Sequence, residues 1–397
     1  MSAREAQKHF LAAASFLIAA QAFLFSQDPR SLGFKKELVI ELRNPAASDL
    51  EDYPVTLNAS DIRAAAPDFN SYNFALFELV GKEYRLIQTQ ADDLDRDRYH
   101  DEIFFQKTLP ARSTTKILCY YSPKGGMQLM ITPKVFARPA GGGAERQVFE
   151  WESRLSGYRL DSGRLLPYGK FAPGLVLQRA RTELDRPQSW GMLLLAADSG
   201  PGAGGLCLWD GEKMIRLYGD SPADRTAEIL AMGPLRTIVR VTHRSIKTPG
   251  GEVTVSARYS QAADSPVTMV TVTLEGTADR LSSGPVLAKL GEEAVVFDRD
   301  RGFFASWGKG LAGAGEIGLA VVFDPAAFAG LDESGNERGF KLRPGRDGRL
   351  AFWLSAAWGR GVTSPPNPAP KYWPERAAAV ALRHSTPVEV VFTAEKR

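Results

Sequence analysis

Residues 101–123 read DEIFFQKTLPARSTTKILCYYSP. Two runs rich in aromatic and β-branched residues flank Pro110, which cannot sit inside a central strand, so the stretch predicts two strands joined by a turn. The same signal fills the chain upstream. In ELVIELRNP (37–45), Leu38, Ile40 and Leu42 share one face, alternate with Val39 and Glu41, and stop at Asn44-Pro45. YPVTLN, NFALFELV and EYRLIQTQ continue it, with Val80-Gly81-Lys82 as a turn. Together they predict a small antiparallel sandwich over residues 35–124.

Past Gly125-Gly126 the strand signals run on through residues 125–397, among them GLVLQRA (174–180), RTIVRVTHRSI (236–246), VTMVTVTLEG (267–276), LAFWLSAAWG (350–359) and VEVVFTA (388–394). Helical periodicity is confined to PERAAAVALRHS (374–385), where Pro374 is placed to start a helix, after the Pro-rich TSPPNPAPKYWP. No fixed repeat is visible, which argues against a propeller. So many strands exceed an ordinary sandwich and predict a large two-sheet supersandwich. The fold class is therefore all-β, a small N-terminal sandwich followed by the larger domain.

The remaining composition narrows function by exclusion. The 49 basic and 46 acidic residues nearly cancel, which removes any electrostatic case for nucleic acid or an anionic membrane as partner. Residues 1–25 carry Arg4 and Lys8 before an apolar run that reaches Ala20-Gln21-Ala22, the pattern of a cleaved signal peptide. Export to the periplasm or beyond is the expectation; an uncleaved leader would act as a membrane anchor. Cys119 and Cys207 lie in apolar strands and read as two buried thiols in preference to a disulfide.

The segment QADDLDRDRYHDEIFF (90–105) follows the spacing of a calcium loop. Asp93, Asp95, Asp97, the Tyr99 carbonyl and Asp101 occupy ligand positions one, three, five, seven and nine. Arg98 sits where such a loop prefers glycine, and Phe104 replaces the terminal bidentate glutamate. The alternative is an acidic hairpin neutralised by Arg96 and Arg98. Any cation here is expected to be structural.

FEWESRLSGYRLDSGRLLPYGK (149–170) is the densest polar–aromatic stretch. Sugar sites pair a flat aromatic face with planar charged groups. Trp151, Arg154, Arg159 and Lys170 fit substrate binding, Glu152 fits an acid or base, and Tyr158 a proton donor. The competing reading makes Trp151 core and the charges a solvated face. Arg236 and Arg240 share a strand face, with His243 on the other as a further catalytic candidate. Trp358, Arg360 and Trp373 are rim candidates beside the Pro-rich loop, and His384 reads as a cation at the helix end. No Gly-x-Ser-x-Gly elbow exists, and the glycines of GPGAGG (200–205) precede no helix, so they read as a turn.

In order and spacing, IQTQADDLDRDRYHDEIFF, LPARSTTKILCYY, FEWESRLSGYRL, GAGGLCLWDGEKM and AMGPLRTIVRVTH, followed by GFFASWG, IGLAVVFDP and SAAWG, resemble the bacterial domain-of-unknown-function 4861 family over about residues 35–393. The resemblance implies an exported protein associated with polysaccharide degradation, whose large domain is a galactose-mutarotase-like supersandwich. Arg98 departs from the family's usual glycine, and His243 stands where an aromatic residue is more common. The implied partner is a plant or algal-type oligosaccharide or polysaccharide, acidic sugars included. It would be handled by a lyase, hydrolase or epimerase, or by a non-catalytic glycan-binding protein on the same fold.

Overall fold

A computed structural model describes residues 28–394 except 127–130, 141–147, 179–183, 185, 197, 199, 220–223, 277–279, 312 and 386. The expected leader, residues 1–25, lies outside the described residues. The chain forms two compact units, residues 1–131 with 386–397, and residues 132–385.

The first unit is the expected small sandwich. One sheet has the order Glu389–Ala394, Lys36–Asn44, Ser113–Tyr121, Phe74–Val80, Glu83–Ile87; the other has the order Leu50–Asn58, Glu102–Leu109, Gln90–Asp92. Leu38, Ile40 and Leu42 are fully buried and meet Val55, Leu57, Ile103 and Phe105 of the facing sheet. Each such side chain removed from water contributes about 1.5–3 kcal/mol. Asn44 closes the bend after its strand: its amide donates to the carbonyls of Ser48, Leu109 and Pro110, and its oxygen accepts from the Ala46 N–H.

One boundary needs correcting. Residues 125–397 do not form one domain, because Glu389–Ala394 returns to pair antiparallel with Lys36–Asn44, from Leu38 opposite Ala394 to Arg43 opposite Glu389. Val388, Val390 and Phe392 pack on the first unit's core. This strand covers an edge that would otherwise expose a row of unpaired backbone groups.

The second unit stacks an eight-stranded antiparallel sheet on two five-stranded sheets, giving the expected supersandwich. The large sheet has the order Asp224–Met232, Arg236–Thr248, Gly251–Ala262, Val267–Gly276, Arg349–Trp358, Glu316–Phe323, Phe303–Lys309, Gly291–Asp298. One smaller sheet orders Gly191–Leu193, Arg164–Lys170, Gly157–Asp161, Val148–Ser153 and Val135–Pro139. The other orders Lys213–Arg216, Ala203–Asp210, Leu281–Ala288, Glu337–Leu342 and Phe328–Asp332. A bridge from Leu165 to Gly202 joins the two smaller sheets. That approach requires glycine, since a Cβ on Gly202 would lie 2.2 Å from the Leu165 carbonyl oxygen. One continuous apolar core draws on all three sheets, including Trp151, Leu208, Val255, Val270 and Phe352.

A helix, Ala369–Ser385, lies on the outer face of the large sheet. It starts five residues before Pro374, so the expected start was late. Burial of Trp373 draws the preceding turn into the helix: its ring rests on Gly318, where a Cβ would come within 2.6 Å, and its Nε1 donates to the Leu319 carbonyl at 3.2 Å. GLVLQRA is also not a strand in its described part; residues 174–178 form a cover, described below.

Ending the chain at Ser385 is expected to strip the first unit of its edge strand. Hydrogen exchange at Leu38, Ile40 and Leu42 should accelerate by orders of magnitude, with the second unit's exchange unchanged. Equal protection in both chains would refute the pairing's importance.

Candidate functional site

The polar–aromatic stretch 149–170 is positioned by alternation, and its two faces have different fates. Trp151 and Tyr158 face the common core and are fully buried; Trp151 packs on Tyr158 and Tyr259 at ring distances of 6.0 and 5.5 Å. The Tyr158 hydroxyl is enclosed beside Thr268 and the Ala356 backbone without an aligned hydrogen bond, and burial raises its pKa. Neither residue faces a site.

The opposite face carries the charges, and it too is closed. Glu150 takes one guanidinium on each oxygen: Arg138 Nε donates at 2.9 Å to Oε2, and Arg159 Nε at 2.9 Å to Oε1. The three residues sit directly opposite one another on adjacent strands. Glu152 is fully buried. It accepts from Lys170 Nζ at 2.5 Å, from the Leu177 N–H at 2.7 Å and from the Tyr168 hydroxyl at 3.3 Å. Lys170 spends its two other donors on the carbonyls of Ser153 (2.7 Å) and Gly174 (2.8 Å). Val176 and Leu177 of the former strand candidate cover this network. Glu152 and Lys170 are thus sealed in a buried ion pair and do not face an open site, a correction to their expected placement. Arg159 is likewise committed to Glu150, and Arg154 is held on the surface by Asp264.

His243 lies on the inward face of its strand, 2% exposed, and burial, helped by Arg225 directly opposite, takes its pKa down to about 3. Arg236 is also buried, and Arg240, two pairs along on the outward face, bonds Glu228 at 2.6 Å. Trp358 is no rim residue. It is fully buried, its Nε1 donates to the Ala314 carbonyl at 2.7 Å, and Gly169 and Gly361 pack so closely that a Cβ on either would strike its ring. Arg360 stays exposed beside it, bonded to the Gly313 carbonyl. Trp373 is buried under the helix. His384 is not a capping cation either; burial and Arg383 hold it neutral, down to about 3, and it stacks on Trp353 at 4.2 Å.

Trp353 of that stack also lines a concave slot. On the outer face of the large sheet, Ser260, Met269, Trp353, Val322 and Phe303 form one row across five strands. Val322 and Phe303 lie under the helix, while Met269 is exposed, so Trp353 stands at the border. A slot with a cavity volume of about 50 Å³ runs between helix and sheet, lined by Trp353, Trp373, Val267, Ser355, Thr363 and Arg376 among others. The Trp353 Nε1 is buried with no acceptor among the described residues. Arg376 donates to the carbonyls of Thr363 and Ser364, which ties the Pro-rich loop to the helix. Trp353 carries no local sequence signal of this position, because its place at a helix edge is a tertiary fact.

In the first unit, the acidic loop does curl as expected. Carboxylate oxygens of Asp93, Asp95 and Asp101 all lie within 4.8 Å of one another. Arg98 adopts the left-handed φ of +75° that glycine would favour, and Arg96 +67°. Both donate their backbone N–H to Asp93, at 2.9 and 2.7 Å. Asp97 stays outside the cluster and accepts from the Tyr99 N–H. Cys119 and Cys207 are free and buried.

The model of a family described as Domain of unknown function (DUF4861) matches residues 42–390. The chain belongs to this family. No curated protein matches it. Among solved structures, this DUF4861 protein is similar to an alpha-mannosidase from Enterococcus faecalis V583. The TM-score is 0.51 at 8% identity, over 91% of this chain and 46% of that one. A protein in the Glycosyl Hydrolase Family 38 from Enterococcus faecalis matches with TM-score 0.52 at 8% identity, over 98% and 50%. The DUF4861 chain therefore spans about half the length of these structures, and the likeness is one of fold.

The buried pair gives a direct test. Lys170→Met should cost about 3–5 kcal/mol in chemical denaturation, because Glu152 is left charged and unpaired. Adding Glu152→Leu should recover much of it. A loss below about 1 kcal/mol for the single variant would contradict the pairing.

Proposed function

We propose that this protein is an exported glycan-binding or accessory protein of carbohydrate metabolism, with the Trp353 slot as its sugar site. The observation that carries the reading is Trp353 itself. It is a partly exposed indole at the border of the helix-covered sheet, its N–H has no acceptor among the described residues, and Ser355 and Thr363 line the same slot. A flat aromatic face suits the C–H side of a sugar ring. The lining carries one charged side chain, Arg376, and no carboxylate. Glycoside hydrolysis calls for two carboxylates across the bond. Fold likeness to proteins titled as an alpha-mannosidase and a Glycosyl Hydrolase Family 38 member supports a carbohydrate partner, and the leader pattern at residues 1–25 supports export.

A panel of neutral and acidic oligosaccharides, followed by calorimetry and by mass spectrometry of the sugar, separates the readings. Saturable binding with unchanged sugar, weakened about tenfold or more in Trp353→Ala, is the expected result. A new unsaturated, hydrolysed or epimerised product would establish the enzyme reading instead, and binding indifferent to Trp353 would remove the slot.

We also propose that the loop Asp93–Asp101 holds a structural calcium ion through Asp93, Asp95 and Asp101. Oxygens 2.3–2.6 Å from a calcium ion can be at most about 5 Å apart, and the observed spacing meets that limit. Millimolar calcium should raise the melting temperature of the wild type and leave Asp93→Ala/Asp101→Ala unmoved. A flat wild-type response would reject the ion.

A further inference from the structure

At one edge of the second unit, the hairpin turn Asp161–Arg164 meets the start of the strand Asp224–Met232. Ser162 and Gly163 turn the chain at φ values of +49° and +75°. The Gly219 N–H donates to the Ser162 carbonyl at 2.7 Å and fixes the hairpin tip. A Cβ on Gly163 would lie 3.2 Å from a guanidinium nitrogen of Arg225, and a Cβ on Gly219 3.1 Å from one of Arg164. Both arginines therefore converge on the same turn. Strand register sets His243 directly opposite Arg225, on the inward face.

These groups are short of acceptors. Among the described residues, Arg164 Nε and His243 Nδ1 are both buried without a hydrogen-bond partner, and His243 is only 2% exposed. No carboxylate forms an ion pair with Arg164 or Arg225 among the described residues, although Asp161 is near enough to act on Arg225 electrostatically. The contrast within the unit is plain. Arg138 and Arg159 share Glu150, and Arg338 bridges Glu293 and Glu333. Two neighbouring guanidinium groups repel, and a half-buried cation without an acceptor is costly. Their planar forks match an oxyanion, and a neutral imidazole has one N–H to add.

We infer that Arg164, Arg225 and His243 form a binding site for a small oxyanion, distinct from the Trp353 slot. The ligand needs two or more acceptor oxygens on one centre. A free inorganic anion and the anionic group of an acidic sugar both satisfy that.

The test titrates sodium sulfate and, separately, glucuronate into the purified protein at constant ionic strength, with glucose as the uncharged control. Sulfate also stabilises proteins by exclusion from their surface, but that effect does not saturate. The expected result is a saturable rise in melting temperature with at least one anion, weakened tenfold or more in Arg164→Gln and in Arg225→Gln. Arg164 is partly exposed, so its variant should still fold. Nitrogen NMR of the His243 ring in the wild type supplies a second readout, independent of any variant, and its signals should move with the same saturation. Response to glucuronate alone assigns the sugar source, and response to sulfate the inorganic one. A rise that is linear, or equal in wild type and both variants, or unmoved His243 signals with both anions, overturns the site.

Discussion

The second unit is organised around a single ammonium group. Lys170 Nζ meets a carboxylate and two carbonyls, and through them it joins the strand Val148–Ser153, its own strand Arg164–Lys170 and the covering residues 171–178. Its backbone carbonyl also accepts from the Val362 N–H, which brings in the segment after Trp358. An ion pair removed from water is stable only when all its donors and acceptors are met. That demand dictates where the cover must run, and it explains why Leu177 turns its N–H to Glu152 rather than into a sheet.

The same demand engages the glutamates of the stretch 149–170 in ion pairs. Its composition resembled a sugar site because aromatic and charged residues alternate there. Alternation does place Trp151 on one face and Glu150 and Glu152 on the other, as the strand period requires. It does not say whether the second face meets water or other parts of the chain. Here Arg138 and Lys170, distant in sequence from their partners by 12 and 18 residues, neutralise both glutamates. Trp353, by contrast, stays partly exposed at the border where the helix stops covering the large sheet.

Legibility followed the range of the interaction. Leu38, Ile40 and Leu42 announced their sheet because burial there acts at period two along a single strand. Of the glycines in 200–205 that read as a turn, Gly200 and Gly202 shape one, while Gly204 and Gly205 already belong to the strand Ala203–Asp210. The acidic loop was readable as a curl, since Asx-type contacts close over two to five residues. That Arg98 would accept the left-handed conformation was not, because a cost of about 1–3 kcal/mol is decided by what the rest of the loop gains.

Sequence alone, then, determined the all-β class, the small sandwich, the family and the strand faces, all of which rest on local periodicity or ordered motifs. Tertiary structure decided that residues 389–394 complete the first unit, that Pro374 lies inside a helix, and that Glu152, Tyr158 and Trp358 are sealed while Trp353 borders a slot. The physical reason is that pairing an edge, neutralising a buried charge and covering a face each require a partner that folding brings from elsewhere in the chain.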